Sequence, residues 1–328
     1  MKSITYNPVN IASDDQNNQN TRQYEVMTLA DVCIDLIMTG DVRPRFRQVE
    51  QFVDDFTMQF GSSAAIFASQ MANLSVSTAM LGWLGTDIFS DFVHAELQKS
   101  GLDTTRIKRH PTVKTCLGLA LSEAHDRAIL TYAGTLDLPS PEDLDPALLA
   151  SCRHWHIGAY FLMRSVRPAW KNWLELCRAA KVTTSLDTNW DPEGRWTDVC
   201  GLLPLVDVFL PNEAEALAIS QQPDALSAAR ALAQFGPLVV VKRGEKGALA
   251  VKGDQVWELD GQASPIKPEK IVDTTGAGDN FDAGFVCGWL RDSSIEECLE
   301  LGHRCAVSSL AHAGGIAGQI RQVLAIPV

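Results

Sequence analysis

The sequence has no Cys-x-x-Cys pair, although it holds eight cysteines: Cys33, Cys116, Cys152, Cys177, Cys200, Cys287, Cys298 and Cys305. Their scatter through apolar segments excludes zinc-site spacing and reads as reduced, buried thiols of a cytosolic protein. No Gly-Lys pair occurs, so the phosphate loop G-x-x-x-x-G-K-[ST] is absent. Basic residues are in the minority, 28 Lys plus Arg against 40 Asp plus Glu for a net charge of −12. That balance argues against nucleic acid and anionic membrane surfaces as partners, but not against a small anion held by local backbone dipoles. No apolar run is long enough to span a bilayer. The N-terminus lacks the basic-then-apolar pattern of a secretory leader, so a cytoplasmic location is expected. Neither an internal repeat nor a low-complexity linker interrupts the chain.

What is present suits a large globular core: 328 residues, 46% hydrophobic and 21% charged. Residues 1–23 are polar and read as a mobile tail. From Tyr24 to Val328 the pattern is that of one α/β domain. Short apolar runs such as RHWHIGAY, VTTSLDTN, VDVFLPN and LVVVKRG alternate with helical segments such as AWKNWLELCRAA and DALSAARALAQF. Alternation of this kind predicts a mostly parallel sheet covered by helices on both faces. Residues 36–60 and a hairpin at about 112–135 do not fit that body and are expected to form a small β lid at the sheet edge.

The stretch VDTTGAGDNFDAGFVCGWL, Val272 to Leu290, joins a glycine-rich turn to an apolar helix. Ile271 and Val272 read as the end of a strand. Gly276, Ala277 and Gly278 leave backbone N–H groups open to a close ligand, and the helix start carries a positive partial charge, which together make an anion site. G-x-G-x-x-G fails here because Phe281 stands where the third glycine belongs. Asp279 is either an ordinary acidic residue at a helix start or a base. Beside a bound phosphate it makes sense only with a hydroxyl between them, whose proton it takes as the oxygen attacks phosphorus.

DTTGAGDNFDAGF resembles the C-terminal signature of the PfkB (ribokinase-like) carbohydrate kinases. FGSSAAIFASQMANLS resembles the family's Gly-Gly segment, LGWLGTDIFSDFVHAELQKSGLDTTRI follows in family order, and LPNEAEAL and VVVKRGEKGAL match its Asn-x-x-Glu and nucleotide-loop elements. The likeness covers roughly residues 24–318. It implies a ribokinase-like three-layer α/β/α sandwich with a mostly parallel central sheet and a small β-sheet lid.

The resemblance also implies roles. Asp279 would be the catalytic base and Gly276, Ala277 and Gly278 the anion hole. Asn212 and Glu215 would order Mg²⁺ through water, and the same pair also reads as a helix capping box. Asp35, Gly61, Ser62, Ala65 and Thr115 would border the acceptor. Phe60 replaces a family glycine and Ala65 a family asparagine, which leaves the acceptor open. Lys242, Gly244, Gly247 and Gly314 would border ATP, with Lys242 standing where the family often has threonine. Asp187 and Asn189 match an Asp-x-Asn element. Asp273 and Thr275 match positions that hold a monovalent cation, K⁺, in some members.

ATP, Mg²⁺ and a sugar or sugar-like acceptor are thus expected, with a homodimer through the lid. A nucleoside acceptor, or a non-catalytic sugar-binding regulator on the same fold, are the alternatives. Arg43, Arg45 and Arg47 in the lid are the few basic groups that a sugar phosphate would find. His154 and His156 alternate on one strand and read as structural.

Overall fold

The computed structural model of the protein describes residues 22–123, 127–263 and 270–321. The expected tail lies outside this range except for Arg22 and Gln23. Along the chain the strands are β1 (Tyr24–Ala30), β2 (Cys33–Thr39), β3 (Asp55–Gly61), β4 (Thr78–Leu84), β5 (Asp103–Arg109), β6 (Cys116–Ser122), β7 (Arg127–Tyr132), β8 (Cys152–Ile157), β9 (Thr183–Leu186), β10 (Val208–Phe209), β11 (Leu238–Lys242), β12 (Ala248–Lys252) and β13 (Gln255–Leu259). The α-helices are α1 (Ser63–Asn73), α2 (Ile88–Lys99), α3 (Trp170–Ala179), α4 (Val199–Leu202), α5 (Glu213–Ser220), α6 (Ala225–Ala233), α7 (Ala277–Leu290) and α8 (Ile295–Leu310).

A nine-stranded sheet runs β13-β12-β11-β10-β9-β8-β1-β4-β5. Its pairings are parallel except β11–β12 and β12–β13, the latter a hairpin turning at Gly253. Successive residues of a strand face opposite sides of a sheet. Here both sides are apolar: Val26, Val208 and Val240 enter one core with α7 and α8 residues, while Met27, Phe209, Val239 and Val241 enter another with Trp155, Trp170 and Trp173. That double burial makes the body a three-layer sandwich, and it is why the strands read as unbroken apolar runs.

A second, four-stranded sheet has the order β3-β2-β6-β7. The single run YEVMTLADVCIDLIM therefore supplies β1 to the large sheet and β2 to the small one, with Asp31 at the crossing. The charged segment DTTRIKR, not anticipated as a strand, is β5 at the sheet margin, where charge discourages pairing with other chains. Ile271 and Val272, expected to end a strand, lie in none. Both are exposed, and the Val272 N–H donates to Leu310 O (2.8 Å), so this apolar pair meets no sheet.

Helix α7 lies against α8 because glycines meet there. A β-carbon on Gly284 would stand 2.8 Å from the Gly302 Cα.

Candidate active site

Parallel strands deliver the ends of several distant segments to one edge. Asp31 follows β1, Asp187 follows β9, Asn212 follows β10 and Lys242 ends β11, with Asn212 and Lys242 bridged in parallel. The start of α7 faces the same edge. Gly276 caps it in the left-handed region (φ 72°), with no side-chain cap to occupy the first-turn amides. A β-carbon on Gly276 would stand 2.7 Å from the Gly315 Cα, so only glycine lets the two loops touch.

Asp279, in the first turn of α7, is buried and accepts a hydrogen bond from Ser63 Oγ on α1. Burial, then the charge of Asp187, pushes its carboxyl from an ordinary 3.8 up to about 7. The Lys242 ammonium lies beside Gly278, 3.4 Å from where a β-carbon on that glycine would be. It donates to Asp187 Oδ2 (2.8 Å) and to both oxygens of Asp282 (3.0 Å each). Burial opposes the charge on Lys242, but Asp187 and Asp282 overcome it and raise its pKa. Burial likewise opposes the charge on Asp187, yet Lys242 holds that carboxyl below its ordinary value. For Asp282 burial wins and the pKa is raised, because one ammonium shared between two buried acids cannot keep both ionised. Asp187, Asp279 and Asp282 place carboxylate oxygens within 4.8 Å of one another.

Asn212 and Glu215 form the capping box in full. Glu215 N–H donates to Asn212 Oδ1 and Asn212 N–H to Glu215 Oε2, each at 2.9 Å. Oε1 of Glu215 takes no part in the box. Burial, then Asp187, pushes the Glu215 carboxyl up to about 7. The capping and metal readings are thus compatible in one residue.

Of the residues expected to border the acceptor, Asp35 lies in β2, packed over Gly61 and Gly118, where any β-carbon would collide with its carboxylate. Ser62 caps α1 and donates to Asp31 Oδ1 (2.8 Å). Thr115 is buried; its hydroxyl accepts from Gly85 N–H (3.1 Å) and its N–H donates to Asp87 (2.7 Å). Phe60 and Ala65 are buried together in an apolar cluster with Ile66 and Met80. Phe60 is 2% exposed and Ala65 fully buried.

On the other flank, Gly244 and Gly247 make a tight turn at φ 59° and 84°. Asp273 ties two loops together, accepting from Thr275 N–H (2.9 Å) and Oγ (2.8 Å) and from Gly314 N–H (2.9 Å). Asn189 Oδ1 accepts from Ala159 N–H (2.7 Å) and holds the turn after Asp187. His154 and His156 both lie within 2.8 Å of Ser185 Oγ. Burial pushes both imidazoles down to about 3, the neutral structural histidines expected.

Sequence reasoning passed over Asp282, Ser63 and the contacts of Asp31. Asp282 had a signal: it stands three residues after Asp279, on the same helix face.

A parallel sheet covered on both faces, an acid-lined edge and a small second sheet define a ribokinase-like α/β protein. A putative ribokinase II of Escherichia coli, solved in a complex with ATP and Mg²⁺, has this fold, with a TM-score of 0.77 at 22% identity over 90% of this chain and 96% of that one. The chain belongs to the pfkB family of carbohydrate kinases, whose family model matches residues 23–321. A sugar kinase of Archaeoglobus fulgidus, itself uncharacterised, is 28% identical over 260 residues, 77% of this chain and 99% of that protein. A cytidine kinase of Thermococcus kodakarensis is 48% identical over 98 residues, 30% of this chain and 34% of that one. The protein is therefore a phosphotransferase that uses ATP and an alcohol acceptor on a sugar or sugar-like molecule.

Proposed function

We propose that Asp279 is the general base of this kinase. The observation that carries the reading is a buried carboxyl raised to about 7 in the first turn of a helix whose amides have no side-chain cap. The acceptor hydroxyl gives its proton to Asp279 as its oxygen forms a bond to the terminal phosphorus of ATP. The bond from that phosphorus to the bridging oxygen breaks, and ADP leaves with the electron pair. The amides at Gly276, Ala277 and Gly278 hold the transferring phosphoryl oxygens. Lys242 adds a fixed positive charge beside them, and Gly244, Gly247 and Gly314 border the nucleotide.

Buried Glu215, with Oε1 outside the capping box, and the amide of Asn212 are hard donors that fit Mg²⁺ held through water. Mg²⁺ bound there offsets phosphate charge. Asp273 and Thr275 offer oxygens to a monovalent cation, and comparing turnover in K⁺ with turnover in choline tests that assignment.

On the acceptor side Asp35, Gly61 and Ser62 meet the hydroxyls of a sugar or sugar-like alcohol, with Thr115 behind them. A sugar phosphate fits less well, since Arg43 pairs with Glu123 and Arg45 with Asp41. The cytidine kinase likeness keeps a nucleoside as the second reading.

The small sheet and its flanking loop expose Phe46 (85%), Phe52 (84%) and Phe56 (66%), together with Ile129, Leu130 and Tyr132. An apolar surface of this kind supports a homodimer with the small sheet as its lid. No described helix is long and apolar enough to cross a membrane. Eight unpaired thiols suit the cytoplasm.

The test is ADP release from Mg·ATP across ketoses, aldoses, sugar acids, sugar phosphates and nucleosides, with Asp279→Asn beside the wild type. An acceptor whose turnover vanishes in the variant supports the reading and names the substrate class. Near-normal turnover by Asp279→Asn overturns the role of Asp279. Silence of the wild type across the panel, with sugars still binding, favours the regulator.

A further inference from the structure

We propose that Ser63 is a positioning residue for Asp279, holding one carboxylate oxygen so that the other is presented to the acceptor. The inference rests on the reading of Asp279 as the base.

Ser63 opens α1, yet its hydroxyl does not serve its own helix. Ser62 already caps α1, its Oγ accepting from Ala65 N–H at 3.1 Å. The Ser63 hydroxyl crosses to α7 and donates to Asp279 Oδ1 in a buried contact between residues 216 positions apart. A donor on Oδ1 fixes the rotation of the carboxylate about its own axis and leaves Oδ2 to take the acceptor's proton. It also stabilises the ionised form, the one a base needs, against the burial that raises the carboxyl.

The surroundings hold Ser63 firmly. Asp31 accepts from Ser62 Oγ (2.8 Å), Ser63 N–H (3.4 Å) and Ala64 N–H (3.3 Å), so the end of β1 grips the first turn of α1. Ser62 sits at φ 110°, a region that favours glycine, and persists there because Asp31 and the helix start over-determine it. The preceding residue, Gly61, ends β3 of the small sheet, where it touches Asp35. Asp31, Ser62 and Ser63 therefore connect the acceptor side of the cleft to one oxygen of the base.

The experiment compares Ser63→Ala and Ser63→Thr with the wild type, using the acceptor found in the panel above. Steady-state constants are measured from pH 5.5 to 9. The Asp279 carboxyl is titrated in parallel by ¹³C NMR, its resonance identified by its loss in Asp279→Asn. Ser63→Ala should lower kcat on the order of tenfold, the size of a lost charge-assisted hydrogen bond. KM for Mg·ATP should stay within about twofold, since the hydroxyl's hydrogen bond goes to Asp279. The acid limb and the carboxyl titration should both move to higher pH. Ser63→Thr keeps the hydroxyl and should return both to near the wild-type positions.

Wild-type kcat and an unmoved acid limb in Ser63→Ala overturn the proposal. Equal damage in Ala and Thr with no movement of the titration also overturns it, since packing alone then explains the loss. If the wild type turns over no acceptor, the kinase reading fails separately, and an unchanged titration in Ser63→Ala then removes the proposed contact.

Discussion

Replacing Asp279 with asparagine should end turnover and yet stabilise the fold. The carboxyl stands at about 7 in the folded chain against an ordinary 3.8. Each unit of such a gap is worth about 1.4 kcal/mol, so the ionised carboxylate burdens the native state by about 4 kcal/mol at pH 8. Relaxation of the surroundings around a buried charge reduces this to about 2–4 kcal/mol. Asparagine keeps the size and the acceptor for Ser63 but forfeits a charge at a helix N-terminus, worth about 0.3–1 kcal/mol in the opposite direction. The net gain is about 1–3 kcal/mol, or roughly 1.5–4.5 °C in Tm for a chain of this length.

The sign distinguishes the two readings of this residue, because a simple helix-start acid would lose stability when neutralised. The pH dependence does so again. With the folded value above the unfolded one, the burden is fully present above pH 7 and fades as pH falls toward 4, so the gain should shrink by about half or more at pH 5. Urea unfolding at pH 8 and pH 5 measures it, and ADP release should fall on the order of 10²-fold or more in the same variant. An Asp279→Asn protein less stable than wild type at pH 8, or equally stabilised at both pH values, would show that the Asp279 carboxylate does not burden the fold.

In the free enzyme, kcat/KM should fall below about pH 7 as Asp279 takes up a proton. The slope should exceed a single proton, since Glu215 also titrates at about 7; a profile flat to pH 5.5 contradicts this. Lys242→Met should destabilise the protein by about 3–5 kcal/mol at pH 8, leaving Asp187 without its counter-ion, and less at pH 5, where that acid can protonate. Adding Asp282→Asn should recover part of the loss, and urea unfolding of both variants within about 1 kcal/mol of wild type would show the ion cluster to be idle. Phe52→Glu with Phe56→Glu should convert a sedimenting dimer to monomer while leaving folding intact; an unchanged sedimentation coefficient removes the small sheet as the interface.

The alternation of apolar runs and helices settled the α/β class from the sequence, because a sheet buried on both faces needs unbroken apolar strands. The order of motifs around Gly276, Gly278 and Asp279 pointed to a kinase, since a glycine-rich helix start is a local feature that survives in one dimension. The capping box of Asn212 and Glu215 was legible for the same reason, its partners being three residues apart. Strand β5 was not legible, because a charged sheet margin has no apolar pattern. Nor could Phe60 and Ala65 be placed, since burial depends on which face of β3 and α1 meets the core. Lys242 could be named from its strand, but not its two carboxylates, which arrive from β9 and α7. Ser63 and Asp31 were silent for the same physical reason. Their partners lie on elements that only the parallel packing of distant strands brings to one edge, and there burial, not residue type, sets the charge of Asp279.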